Sequence, residues 1–128
     1  LNQLPADTIT YWDFNVDQPD YNPPWKYDPS RFQEVPKDAS AAAVAASALI
    51  ELSGYVEKAK SKKYLKAAED ILYALSSPKY IAAIGENGNF ILKHSTGGAP
   101  SYSEIDVPLT YADYYFVEAM KRYKALNK

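Results

Sequence analysis

Residues 39 to 53 constrain this chain more than any other stretch. Ala39, Ala41, Ala42, Ala43, Ala45, Ala46 and Ala48 surround Val44, Leu49, Ile50 and Leu52. Asp38 is a preferred N-cap, because its carboxylate can take a backbone N–H left unpaired by the first turn. Gly54 suits the position just past the last turn. The first three turns carry no charge and no wide polar face, so the helix is expected to be buried nearly all round. Small residues on every side let neighbouring helices approach closely. A surface helix is not built this way.

A second helix, about Lys62 to Ser76, has a different logic. Tyr64, Leu65, Ala68, Ile71, Leu72 and Leu75 follow the i, i+3, i+4, i+7 spacing of one helical face. Lys63, Lys66, Glu69 and Asp70 occupy the other face. Ser77-Pro78 reads as the cap and first residue of a short helix to about Ile84, closed by Gly85. Asn87-Gly88 is a turn signal, and Phe90-Ile91-Leu92 reads as a short strand. A Gly/Ser/Thr-rich loop follows from His94 to Ser103. Asp106 or Pro108 opens the last helix, which runs to about Leu126 and buries Leu109, Ala112, Phe116, Ala119 and Tyr123.

An all-round apolar helix followed by an amphipathic one is the inner and outer alternation of an α/α toroid. An inner helix needs neighbours on both sides, and about four helices are too few to close a ring. Missing helical partners are therefore expected. No internal sequence repeat marks a second pair.

The first 36 residues behave otherwise. They carry Pro5, Pro19, Pro23, Pro24, Pro29 and Pro36. No helix survives that density, since each proline removes a donor and restricts the residue before it. The stretch reads as a long ordered loop anchored by aromatic residues, Tyr11-Trp12-Asp13-Phe14 and Pro24-Trp25-Lys26-Tyr27.

Composition sets limits. A chain of 128 residues is enough for one domain. A net charge of -2 argues against nucleic-acid and anionic-membrane partners, which are bound by basic patches. The absence of cysteine excludes disulfides and thiolate metal sites. No apolar run approaches the roughly 20 residues that span a bilayer. The first residues, Leu1-Asn2-Gln3-Leu4-Pro5, lack the basic and apolar regions of a signal peptide, which favours a cytoplasmic over a secreted location. The missing initiator Met suggests a piece of something longer. The 12 Tyr and 2 Trp offer apolar faces with polar edges, suited either to sugar rings or to an amphipathic core.

Three segments carry a family resemblance. They are Tyr11-Trp12-Asp13-Phe14; the run from Lys37 through the alanines to Leu49; and Leu92-Lys93-His94-Ser95 with the run from Ser103 to Phe116. In order and spacing, over roughly residues 8–126, they resemble the closing part of glycoside hydrolase family 88, the unsaturated glucuronyl hydrolases. The resemblance implies an all-α fold: the C-terminal portion of an (α/α)6 barrel, with the Pro-rich loop 1–36, helices across 37–126 and a short β element near 89–93. It implies removal of a terminal 4,5-unsaturated uronic acid from lyase-generated oligosaccharides. In that reaction water adds across the vinyl ether, with an aspartic acid protonating the double bond. The hemiketal then collapses and expels the aglycone. No metal and no cofactor are implied. The family's catalytic aspartates lie upstream, so no catalytic residue is assigned in this chain. The implied partners are an unsaturated uronic-acid oligosaccharide and the remaining N-terminal part of the same barrel.

The candidate contacts are substrate-binding ones: His94, Ser95, Gly97, Gly98, Ser101 and Trp12. His94 is the sole histidine and can donate to a substrate oxygen, although loop scaffolding explains it as well. Ser95, Gly97, Gly98 and Ser101 supply hydroxyls and close backbone approach. Trp12 and Trp25 offer stacking faces, and Lys93 could pair with a substrate carboxylate. Asp38 is explained by capping alone. Asp113, amid Tyr111, Tyr114 and Tyr115, reads as a hydrogen-bond partner or an outer-face charge. Some family members carry a Ser-x-x-Ser-x-Lys run linked to sulfate recognition. Here that register holds Ser95, Gly98 and Pro100, which favours an unsulfated disaccharide. Two further readings stand beside the hydrolase: a stand-alone helical carbohydrate- or protein-binding module, and a plain helical repeat fragment.

Overall fold

The computed structural model describes residues 4–16, 19–20, 30–32 and 34–126. The order is α1 (Ala39–Ser53), α2 (Lys58–Leu75), β1 (Ser95–Gly98), β2 (Ser103–Val107) and α3 (Thr110–Leu126), with one-turn 3-10 segments at Asn87–Asn89 and Ala99–Ser101. The chain is thus mostly helical with one small antiparallel sheet, β1 against β2.

α1 forms where the capping logic places it. Asp38 Oδ1 accepts hydrogen bonds from the Ser40 and Ala41 amides at 3.0 and 3.3 Å. Gly54 closes α1 with φ −78°, an ordinary right-handed value, so no left-handed glycine cap is used. α1 packs against both α2 and α3, which scarcely touch each other. The close approach is made through alanine: Ala43, Ala46, Ala68, Ala112 and Ala119 are all at 0 % exposure. Ile50, Ile71, Leu72, Leu75 and Phe116 fill the space around them, each stabilising the fold by roughly 1.5–3 kcal/mol through burial. Polar ties lock the same faces. Ser47 Oγ donates to Glu118 at 2.5 Å, Arg122 reaches the Ser47 carbonyl at 3.2 Å and pairs with Glu51, and Tyr123 donates to Glu69 at 2.7 Å.

α1 is not buried all round in this chain. Ala41 and Ala45 are half-covered, and Val44, Ala48 and Leu52 are exposed. Those five positions form one helical stripe. It lines an open groove of about 650 Å³ with Leu4, Phe14 and Leu49.

Several local expectations are corrected. α2 starts at Lys58, because the Glu57 carboxylate accepts from the Ala59 and Lys60 amides at 2.8 and 3.2 Å. No helix forms from Pro78 to Ile84. After a single turn on Ser77, the backbone pairs with the returning chain instead: Ala82 N to Ile91 O at 2.9 Å and Lys93 N to Tyr80 O at 2.8 Å. The short β element expected near 89–93 is a lone bridge, Ile81 to Leu92. The sheet lies further on, in what reads from sequence as the His94–Ser103 loop. Asp106 does not open the last helix: it sits in β2, and α3 starts at Thr110.

No helix or strand occurs among the described residues before Ala39. The segment is held to the body by a bridge between Tyr11 and Lys37 and by a buried cation. Lys37, 6 % exposed, donates to Asp7 Oδ1 and to the Ile9 carbonyl, both at 3.1 Å, and sits 4.1 Å from the Tyr11 ring centre. Burial raises the Asp7 carboxyl, but hydrogen bonds from Tyr80 and Lys37 and the Lys37 charge outweigh it and hold Asp7 below its ordinary 3.8.

Candidate functional site

The hairpin β1–β2 carries most of the residues singled out above, and it divides them between two sides. His94 precedes β1 and lines a cavity of about 210 Å³ with Asp106, Lys79, Arg31, Glu34 and Lys37. Thr96 and Gly97 border the large groove instead, beside Asp38 and Tyr111. His94 stands outside the strand with a left-handed backbone, φ 63°, which turns it away from the side that Thr96 and Gly97 border. Trp12 lines neither hollow; its backbone N–H donates to the Pro36 carbonyl at 3.1 Å, so it anchors the N-terminal segment. Ser101 is exposed in the turn between the strands. Trp25 lies outside the described residues.

Ser95 is the departure. Its side chain is fully buried, and its hydroxyl has no hydrogen-bond partner among the described residues. A hydroxyl so enclosed cannot meet a sugar in this arrangement. Lys93 is also engaged elsewhere, with Nζ donating to the Pro78 carbonyl at 2.7 Å.

The glycines have a packing reason. A Cβ on Gly97 would stand 2.6 Å from Glu104 Oε2 and 2.9 Å from the Tyr111 hydroxyl. On Gly98 it would stand 2.6 Å from Ser103 Oγ and 3.0 Å from the Ser103 carbonyl. At Gly97 the crowding comes from side chains, and at Gly98 it includes the backbone of the paired strand.

Sequence reading missed the most specific contact in the region. His94 Nδ1 and Asp106 Oδ1 lie 2.6 Å apart, with both side chains about one-third exposed (37 % and 36 %). The His94 ring stands edge-on to Tyr80 at 6.0 Å. His94, Tyr102, Glu104 and Asp106 all have positive φ, at 63°, 55°, 49° and 57°. A left-handed conformation costs an ordinary residue roughly 1–2 kcal/mol, and such strain concentrates where a surrounding structure imposes a geometry.

Neither aspartate near these residues is poised for acid–base work. Asp38 Oδ1 is taken up by Ser40, Ala41 and the Thr96 amide, the last at 3.4 Å. Asp113 accepts from the Ile91 and Leu92 amides at 2.8 and 2.9 Å, the hydrogen-bond role its setting suggests. No group of three or more metal-ligating side chains occurs among the described residues. No helix among them is long and apolar enough to cross a membrane. The hairpin region leaves the His94 ring about one-third exposed and Ser101 open to solvent, while Ser95 and Thr96 are buried.

No family model matches the chain. Individual proteins do. A protein of Formosa agariphila described as an unsaturated glucuronyl hydrolase is 45 % identical over 119 residues, covering 93 % of this chain and 26 % of its own length. A Bacillus protein of the same description is 28 % identical over 124 residues, covering 95 % of this chain and 29 % of its own length. Among solved structures, an unsaturated glucuronyl hydrolase described as specific for heparin superposes with a TM-score of 0.82 at 50 % identity. It covers 98 % of this chain and 30 % of that one. An unsaturated glucuronyl hydrolase from Streptococcus agalactiae gives 0.73 at 27 % identity, covering 97 % of this chain and 30 % of that one. The chain spans about a quarter to a third of the length of these relatives.

Proposed function

The chain is a homologue of the C-terminal part of the unsaturated glucuronyl hydrolases, and on that footing we propose that it forms part of a glycosidase acting on unsaturated uronic-acid oligosaccharides. Residues 1–128 are the C-terminal part of a single (α/α)6-barrel domain. The described residues before Pro36 contribute a loop, much of the Pro-rich stretch expected to be ordered lying outside the described residues, and 37–126 contribute helices and the hairpin. The enzyme removes a terminal 4,5-unsaturated uronic acid by hydrating its vinyl ether, with the acid–base chemistry supplied from the N-terminal part of the barrel. This segment supplies scaffold and one edge of the cleft. Its contacts come from His94, Gly97, Gly98 and Ser101, with Ser95 acting through its backbone and Trp12 through the loop it anchors.

One observation supports the reading above all: 45 % identity across nearly the entire chain to a protein so described. The exposed stripe of Ala41, Val44, Ala45, Ala48 and Leu52 agrees with it. An apolar helical face of this kind calls for a covering element, and the rest of the barrel is that element. A stand-alone binding module would have to leave the stripe in water.

The test uses the full-length protein. Loss of the ultraviolet absorbance of the conjugated vinyl ether is followed on a panel of unsaturated disaccharides. Heparin-derived ones are included, because the relative at 50 % identity is described as specific for heparin. Turnover of at least one is expected. No turnover of any would sink the proposal, and turnover by residues 1–128 alone would show that the catalytic groups are misplaced.

A further inference from the structure

We propose that Asp106 is a positioning residue of the substrate edge: it fixes which nitrogen of His94 carries the proton, and so presents Nε2 to the sugar. The inference rests on the hydrolase reading and deepens it.

The geometry starts from the sheet register. Ser95 pairs with Val107, and Thr96 pairs with Ile105. Asp106 is therefore the surplus residue of a bulge. A bulge turns a side chain that would otherwise follow the alternation of β2, and here it brings the carboxylate 2.6 Å from His94 Nδ1. An ionised carboxylate can only accept, so Nδ1 is the donor. In the neutral ring Nε2 is then left as an acceptor, free to take a hydrogen bond from a sugar hydroxyl.

Both backbones are held where this requires. The His94 carbonyl accepts from the Ala39 amide at 3.0 Å. The Asp106 amide donates to Thr96 Oγ1 at 3.4 Å, and that hydroxyl donates to the Lys37 carbonyl at 2.9 Å. The hairpin is thereby fixed to the first turn of α1. The other charged groups of the cavity are engaged with one another or lie apart: Lys79 pairs with Glu34 at 2.9 Å, Lys37 with Asp7 at 3.1 Å, and Arg31 lies over Phe32. Asp106 is the carboxylate committed to His94. Nε2 has no partner among the described residues, and the ring borders the cavity.

The experiment uses full-length enzyme with 15N-labelled histidine. The His94 resonances are identified as those lost in His94→Gln. At a pH where the ring is neutral, wild type is expected to carry its proton on Nδ1. Asp106→Ala should shift the population to the Nε2-protonated form and raise KM about tenfold, as for the loss of one well-placed hydrogen bond, with kcat within about twofold. Asp106→Asn keeps an acceptor oxygen and should restore the tautomer and most of KM. A wild-type proton on Nε2, a tautomer indifferent to Asp106→Ala, or a changed tautomer with unchanged KM would each overturn the proposal. An enzyme that turns over no unsaturated uronide, while its His94 tautomer still depends on Asp106, would sink the hydrolase reading and the presentation to sugar. It would leave the tautomer control established.

Discussion

The Tyr80 hydroxyl donates to Asp7 Oδ2 at 2.8 Å across 73 positions of sequence. Tyr80 is itself almost wholly buried, at 1 % exposure. Together with Lys37 on the other carboxylate oxygen, this contact pins residues 4–16, which form no helix or strand, to the helical body. Tyr80→Phe should therefore lower stability by about 1 kcal/mol, the usual worth of one hydrogen bond. Denaturant unfolding of the full-length enzyme reads it. A variant as stable as wild type would show that the contact does not hold the segment.

The same carboxylate gives a pH dependence with a definite sign. Asp7 sits below its ordinary 3.8 in the folded chain. A depressed acid stabilises the fold above its unfolded value, and that stabilisation is lost as pH falls through the folded value. Acid unfolding should accordingly have a component below about 3.8 that Asp7→Asn removes. Fluorescence-monitored acid titrations of the two proteins would show it. Parallel acid limbs would count against the assignment.

Gly97 and Gly98 are crowded in different ways. The contacts of an added Cβ at Gly97 fall on the ends of Glu104 and Tyr111, which can swing aside. At Gly98 they include the Ser103 carbonyl, which belongs to the paired strand. Gly98→Ala should therefore cost more than Gly97→Ala, at roughly 1–3 kcal/mol. Thermal melts of the two variants rank them, and the reverse order would contradict the strand spacing.

The exposed stripe of α1 predicts a split outcome. Ala48 is exposed here, so Ala48→Arg disturbs no contact of the described core. In the whole enzyme the same position should face the rest of the barrel. The variant should then fall sharply in soluble yield or melting temperature, because it would bury an unpaired charge. Full-length Ala48→Arg that expresses and melts like wild type would mean the stripe is open to water.

The sequence was legible where local chemistry decides the outcome. Asp38 and the alanine run place α1 to the residue, since capping and side-chain size act within one turn. The start of α2 was hidden because glutamate is an unusual N-cap. The stretch from Pro78 to Leu92 hides its structure because its hydrogen bonds join its own outgoing and returning halves rather than successive turns. The hairpin was least legible. Its alternation is obscured by Gly97-Gly98 and by three left-handed residues, Tyr102, Glu104 and Asp106. His94 and Asp106 share no helical or strand spacing that would pair them. Only the bulge does that, and no residue type marks it.

That bulge makes chain length in this region a harder constraint than composition. Asp106 reaches His94 because β2 has one residue more than its partner needs. Deleting any one residue between Ser103 and Val107 would close the bulge and remove the surplus position that carries the carboxylate to His94. Single substitutions there would change one contact each. The turn and β2 should thus tolerate varied residues while resisting any change in their number, and a scan by substitution alone would underrate how tightly this edge is specified.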